Sequence, residues 1–300
     1  MDKFGEFTLY MTGIIVETVP FITLAALMSF VLAFIPGSSI QKIFRGRKIV
    51  SIFIAAAAGF VIPLCECSIV PIVARFARRK LPLPVAVTFM VAAPSLSPIV
   101  VAVTSVAFAI NPGIIYLRFG TAFALSVATG LIFLYLDRDG RLSGEPFPDE
   151  PAEMCDCARE KHGNATIDEK IKDGFEDAVG DFSRTLGYIV MAAAITAAVK
   201  VFVPTDIIAT VGSSACTSVP AMMMFSFILS TCSDADAFIP AAMTDFSNLS
   251  KLAFLLTGPV IDLKLTIMHF AFLPRRTAFS ILIVFPALVV AAVIVLSFFI

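Results

Sequence analysis

Apolar residues run through this chain in long blocks, with polar residues confined to the gaps, and not at the three-to-four-residue spacing of a helix lying on a soluble core. A helix needs roughly 20 apolar residues to cross about 30 Å of hydrocarbon. Eight blocks meet that length or approach it: Thr8–Ile35, Ile49–Val73, Pro84–Ala109, Ile114–Leu136, Leu186–Val203, Pro220–Met243, Leu252–Leu273 and Ala278–Ile300. They divide four and four around a charged stretch, residues 137–184, which holds 14 acidic and 7 basic residues. With Pro146, Pro148 and Pro151 this stretch is predicted to be a solvated connection, followed by a short amphipathic helix near Ile167–Val179. The expected organisation is a first transmembrane repeat over 1–136, a charged cytoplasmic loop over 137–184 and a second transmembrane repeat over 185–300. The first block reads as a span and not a cleaved signal, because Met1–Glu6 carries a single Lys and no small-x-small cleavage site is evident.

Composition narrows the class further. Hydrophobic residues make up 58% of the 300 and charged residues 15%, with a mean hydropathy of +0.94. That excludes a water-soluble globular protein. Six Cys are too few for a disulfide scaffold, and a net charge of −1 argues against a nucleic-acid partner. Without Trp, any aromatic belt at the membrane interfaces must use Phe and the four Tyr.

The two halves echo each other. Cys67-Ser68, Phe89 and Pro94 are answered by Cys232-Ser233, Phe254 and Pro259 at a constant offset of 165, and Phe34-Ile35-Pro36 by Phe202-Val203-Pro204 at 168. The order in each half is a span, a Cys-Ser segment, a Pro-broken segment and a span. Charge sets the orientation. Lys42, Arg45, Arg47 and Lys48 precede the first Cys-Ser segment, and Arg75, Arg78, Arg79 and Lys80 follow it, so both clusters favour the cytoplasmic side. A single helix over 49–73 would leave one cluster outside. A re-entrant hairpin with its tip at Pro63–Ser68 avoids this, if protein or water covers the tip. The expected fold is therefore an all-α polytopic membrane protein of two inverted halves, each with three spans and a re-entrant hairpin. The second tip would lie near Ser230–Asp236. In this arrangement 17 of the 22 Lys and Arg face the cytoplasm, all but Lys3, Arg118, Lys200, Lys251 and Lys264. Eight full transmembrane helices in two parallel repeats is the competing reading.

Ionisable residues within spans cost about 2.5–3.5 kcal/mol each on insertion, so each is a functional candidate. We single out Glu17, Glu66, Asp234, Asp236, Asp262 and Lys264; all but Glu17 lie on the echoed elements. Taking Asp262 and Lys264 as residues of one helix puts them on different faces, and Lys264 is expected to pair with Asp234 or Asp236. The set would either couple transport to an ion gradient or hold a hairpin to its neighbour as a structural network. Cys65 and Cys67, on an irregular Pro-bounded tip, present soft sulfur ligands to a thiophilic solute; small buried packing residues are the plainer alternative. Ser68, Cys232 and Ser233 share these tips. Pro94, Ser95, Ser97 and Pro259 interrupt helices at matching places, which points to a transport pathway, or else to kinks packed by neighbours. In the loop, Cys155, Cys157 and His162 would supply three ligands for a metal or metalloid, although the spacing matches no standard zinc signature. Lone His269 is read as interfacial, and Cys216 signals nothing.

The run Pro63-Leu64-Cys65-Glu66-Cys67-Ser68-x-x-Pro71, the following Leu81-Pro82-x-Pro84 and Ala92-Ala93-Pro94-x-x-x-Pro98, and Ser230-Thr231-Cys232-Ser233-Asp234-Ala235-Asp236-Ala237-Phe238 resemble the predicted permease family that includes the ArsP organoarsenical efflux permeases. The likeness extends over nearly the whole chain. Lys80 stands where that pattern has Gly, and Ser97 where it has Asn. The resemblance implies efflux of trivalent methylated or aromatic arsenicals across a prokaryotic cytoplasmic membrane. No Gly-Lys-Ser/Thr phosphate cradle is present, so an ion gradient is the expected energy source, with proton antiport through Glu66, Asp234 or Asp236 as the simplest scheme. Neither enzymatic activity nor a cofactor is expected; the partners are the bilayer, a small thiophilic solute and, potentially, further copies of the chain. A permease for another metal or anionic solute, and a membrane thiol-redox enzyme using Cys65/Cys67 and Cys155/Cys157, are the other readings.

Overall fold

The computed structural model describes residues 3–33, 48–62, 64–78, 81–138, 140, 142, 144, 167–202, 217–232, 235–243 and 246–298. The proposed loop ligands Cys155, Cys157 and His162, together with Ser233, Asp234 and Cys216, lie outside them. Twelve helices are formed among the described residues. In the first half they are α1 (Lys3–Ala33), α2 (Lys48–Val61), α3 (Glu66–Arg78), α4 (Leu83–Leu96), α5 (Pro98–Ala107) and α6 (Pro112–Leu136). In the second they are α7 (Ile167–Phe202), α8 (Ser218–Leu229), α9 (Phe238–Ala242), α10 (Asn248–Thr257), α11 (Leu263–Phe272) and α12 (Arg275–Ser297). The protein is an all-α polytopic membrane protein.

Among the described residues, five helical stretches are long and apolar enough to cross a membrane: Lys3–Leu24, Leu83–Ala107, Pro112–Leu136, Ala178–Val201 and Arg275–Ser297. On α6, Tyr116 and Tyr135 are 79% and 75% exposed. Nineteen residues separate them, about 28 Å along a helix. Two amphipathic rings at that spacing match the two interfaces of a hydrocarbon layer, the role that Trp takes elsewhere.

Neither Ile49–Val73 nor Pro220–Met243 is one continuous helix. The first is α2 and α3, of 14 and 13 residues, each about 20 Å long and too short to span. The tip is shorter than the expected Pro63–Ser68. Ser68 and Ile69 donate their N–H groups to the Cys65 carbonyl, so Glu66 already opens α3, a favourable place for an acid. In the second half α8 ends at Ser230, whose φ of 46° is left-handed, and a separate single turn, α9, opens at Phe238.

The Pro-broken segments are also interrupted, though not at Pro94. That residue stays inside α4, and the break falls at Ser97, extended (φ −49°, ψ 139°), whose Oγ caps α5 by accepting from Ile99 N at 3.3 Å. In the second half residues 258–261 form the turn, and Asp262 caps α11, its Oδ1 accepting from Leu265 N at 2.5 Å. The helix expected near Ile167–Val179 begins on cue and then continues without a stop to Phe202, since no Pro interrupts it.

Packing brings the halves together crosswise. The helix α1 lies along α7, α3 packs on α11 of the other half, and α9 packs on α5 of the first. Close contact between α2 and α4 depends on Gly59, where a Cβ would come within 2.8 Å of the backbone of Ala92 and Ala93. These contacts set the first tip rigidly against the broken helices.

Candidate functional site

Broken helices are what bring chemistry into this interior. A continuous helix satisfies its own backbone, whereas α3, α8 and α11 end inside the fold and leave their terminal groups to be met by side chains. The site forms where these three ends converge. Glu66 contributes from the first turn of α3, Ser230 and Cys232 from the end of α8, and Asp262 and Lys264 from the start of α11. Glu66, Cys67, Cys232, Asp262 and Lys264 are each no more than 4% exposed.

Lys264 lies at the centre. Its Nζ stands 2.5 Å from Glu66 Oε1 and 3.6 Å from Asp262 Oδ2, and it donates to the Ser230 carbonyl at 3.2 Å and to Cys232 Sγ at 3.6 Å. The expected pairing with Asp234 or Asp236 is therefore corrected for Asp236. Asp262 is an N-cap in extended conformation (φ −139°, ψ 178°), so the helix-face argument that separated it from Lys264 does not apply. Asp262 Oδ2 accepts no hydrogen bond, although it is fully buried.

Cys65, Cys67 and Cys232 are all buried, and Cys65 Sγ donates to Ser68 Oγ at 3.3 Å. All three are free thiols. The carboxylate of Glu66 and the sulfurs of Cys67 and Cys232 lie within 4.8 Å of one another. The two sulfurs come from opposite halves, at the positions related by the offset of 165.

A second buried bridge joins the halves. Arg118, on α6, donates from Nη2 to both oxygens of Asp236 at 3.1 and 2.9 Å, and from Nη1 to Thr104 Oγ1 on α5 at 2.7 Å. Arg118 was missing from the intramembrane ionisable set. It lies inside the Ile114–Leu136 block, and its place within that apolar run was the signal that would have added it to the set.

The remaining candidates fall elsewhere. Pro94, Ser95, Ser97 and Pro259 are buried at or beside the helix breaks, but no described hydrogen bond joins the two serines to the Lys264 cluster. Ser68 is buried in the first turn of α3 and donates to the Cys65 carbonyl at 3.0 Å. Glu17 is exposed on α1. Lys200 lies near the Tyr10 ring, 5.6 Å from its centroid, and interacts electrostatically with Glu17, Asp262 and Lys264. His269 is 1% exposed within α11 and its Nδ1 has no hydrogen-bond partner, so it packs inside the protein and is not a surface residue. The helix turns this residue into the interior.

A family model described as a predicted permease, ArsP_1, matches residues 3–298. A protein of Streptococcus mutans whose name provisionally makes it a two-component membrane permease complex subunit is 34% identical over 254 residues, 84% of this chain and 82% of its own. The UPF0718 protein YcgR of Bacillus subtilis is 31% identical over 281 residues, 93% of this chain and 92% of its own. No solved structure matches.

Proposed function

The chain belongs to the ArsP_1 family of predicted permeases, and on that premise we propose that it is an ion-gradient-driven secondary permease that exports a thiophilic solute from the cytoplasm of a prokaryotic cell. The observation that carries this reading is the fully buried meeting of Cys67 from one half with Cys232 from the other, beside the Glu66–Lys264 ion pair. Soft sulfur from two halves gives a solute differential contacts in two states of the protein. A charge pair across the same seam gives a driving ion a place to act. Trivalent methylated or aromatic arsenicals are the solutes that the family resemblance implies. The proposed machinery is Cys67 and Cys232 for the solute, with Cys65 and Ser68 supporting the tip, and Glu66, Asp262 and Lys264 for coupling.

The halves are inverted in this proposal. Helices α2 and α8, about 21 and 18 Å long, enter from opposite faces, and together exceed the 30 Å needed for their tips to meet. Single cysteines at Lys48 and Arg78, in a background without native Cys, should be labelled only from the cytoplasmic side, and one at Thr217 only from outside. Labelling of Arg78 and Thr217 from one side would remove the inversion.

Everted vesicles containing the protein should accumulate trivalent phenylarsenical when energised, and Cys67→Ser or Cys232→Ser should cut the rate at least tenfold with the protein still inserted. Undiminished uptake by both variants would make these thiols packing residues.

A further inference from the structure

An ammonium group already stands where the donors converge. Lys264 Nζ is ringed by Glu66 Oε1, Cys232 Sγ, the Ser230 carbonyl and Asp262 Oδ2 at 2.5 to 3.6 Å, which are the surroundings of a cation and not of a neutral molecule. Two sulfurs and one carboxylate lie within 4.8 Å of one another at the same point. Around a tetrahedral zinc-like ion, with bonds of about 2.0–2.3 Å, neighbouring donors sit roughly 3.5–4 Å apart, so rotations of the order of an ångström would close this set. Mixed sulfur and carboxylate donors suit a borderline or soft divalent cation; hard Mg²⁺ and Ca²⁺ select oxygen alone.

We propose that Glu66, Cys67 and Cys232 form a site for a thiophilic divalent cation of the Zn²⁺ and Cd²⁺ class, the two thiols releasing their protons to water as the metal–sulfur bonds form, and that the Lys264 ammonium is a tethered competitor that occupies the site until such a cation displaces it. The inference rests on the permease reading above and names its solute class. A trivalent arsenical would use the two sulfurs but has no need of a carboxylate or of an ammonium to displace. The structure provides for the displaced lysine. Asp262 Oδ2, buried and without a hydrogen bond, lies 3.6 Å from Nζ, so Lys264 can give up Glu66 and remain paired. Each position of Lys264 leaves a different set of contacts between α3 and α11, so occupancy by the cation and the packing of the two halves are linked.

The test uses the full chain in detergent under a phosphine reductant, with Cys155, Cys157 and Cys216 changed to Ser so that only the buried thiols remain. Titration with Cd²⁺ is followed by the ultraviolet thiolate-to-cadmium charge-transfer band. One Cd²⁺ per chain is expected. Cys67→Ser or Cys232→Ser should remove about half the band or more, and Glu66→Gln should weaken binding roughly tenfold with the band intact. Lys264→Leu should tighten binding by a similar factor, an effect that a purely structural lysine would not give. Should a further variant fail to fold, protection by Cd²⁺ of Cys67 and Cys232, in the protein with Cys155, Cys157 and Cys216 changed to Ser, from a membrane-permeant maleimide decides the matter. No band in that parent protein, a band indifferent to both cysteines, or weaker binding by Lys264→Leu would overturn the proposal. If Cd²⁺ does not bind and phenylarsenical uptake still requires Cys67 and Cys232, the solute class is wrong and the permease stands. If Cd²⁺ binds as described and neither solute is accumulated, the site stands and the permease reading falls.

Discussion

Arg118→Leu should leave almost no monodisperse protein in detergent, Asp236→Leu should do nearly the same, and the two changes together should restore most of it. The guanidinium donates to both carboxylate oxygens and to Thr104 while almost wholly shielded, so deleting either partner strands a charge in an apolar interior. Breaking such a pair costs about 3–5 kcal/mol, a large part of a total stability of about 5–15 kcal/mol. Deleting both replaces two ions with apolar groups of comparable bulk, which is often close to neutral. Thr104 is not orphaned, because its hydroxyl still donates to the Val100 carbonyl at 2.7 Å. Yields and thermal aggregation midpoints of the two single variants and the double variant complete a cycle. A double variant as poor as the sum of the singles would mean that Arg118 and Asp236 act through separate neighbours.

That bridge also marks what the sequence conveys and what it hides. Block lengths located most of the long apolar helices, and the Pro-bounded run at 63–68 located the interruption of Ile49–Val73. Both features are local, and so is the capping of α5 by Ser97. The Pro94 break was displaced because a proline removes one hydrogen bond and a well-packed helix can absorb the loss. Pairing across the halves is another matter. Glu66 meets Lys264 and Arg118 meets Asp236 over separations of 198 and 118 residues, and nothing in hydropathy or propensity encodes such a meeting. The error over Lys264 came from treating Asp262 as helical. Gly258-Pro259 ends the preceding helix, and an Asp three residues after a proline break, followed by an apolar run, is a capping signal that would have freed it from the helix-face rule. The continuous α7 was missed for a related reason. A change from charged to apolar residues looks like a boundary, but a helix stops only for a backbone cause.

Glu66→Gln and Lys264→Leu, each alone, should bring solute accumulation in everted vesicles to background, and the double variant should fold and still not transport. Alone, Lys264→Leu leaves two buried carboxylates without their cation, at a cost of the same order as for Arg118, whereas Glu66→Gln leaves Lys264 paired with Asp262. Together they remove one charge of each sign. Asp262 then keeps its bond from Leu265 and the positive end of α11, so the site loses no net compensation and stability should return. Transport should not return, because the proposed cycle needs Glu66 as a donor to the solute and the Lys264 ammonium as the group that alternates with it. The paired Arg118→Leu and Asp236→Leu variant supplies the contrast. Its side chains hold the halves together, and Asp236 meets Cys232 only through the backbone, its N–H donating to the Cys232 carbonyl at 3.0 Å, so regaining the fold should bring back uptake to within a few fold of the unaltered protein. Two ion pairs, both buried and both between halves, are thus separated by one assay, uptake per folded molecule: recovery in both double variants would reduce Glu66 and Lys264 to a second structural bridge, and loss in both would place Arg118 and Asp236 in the transport machinery as well.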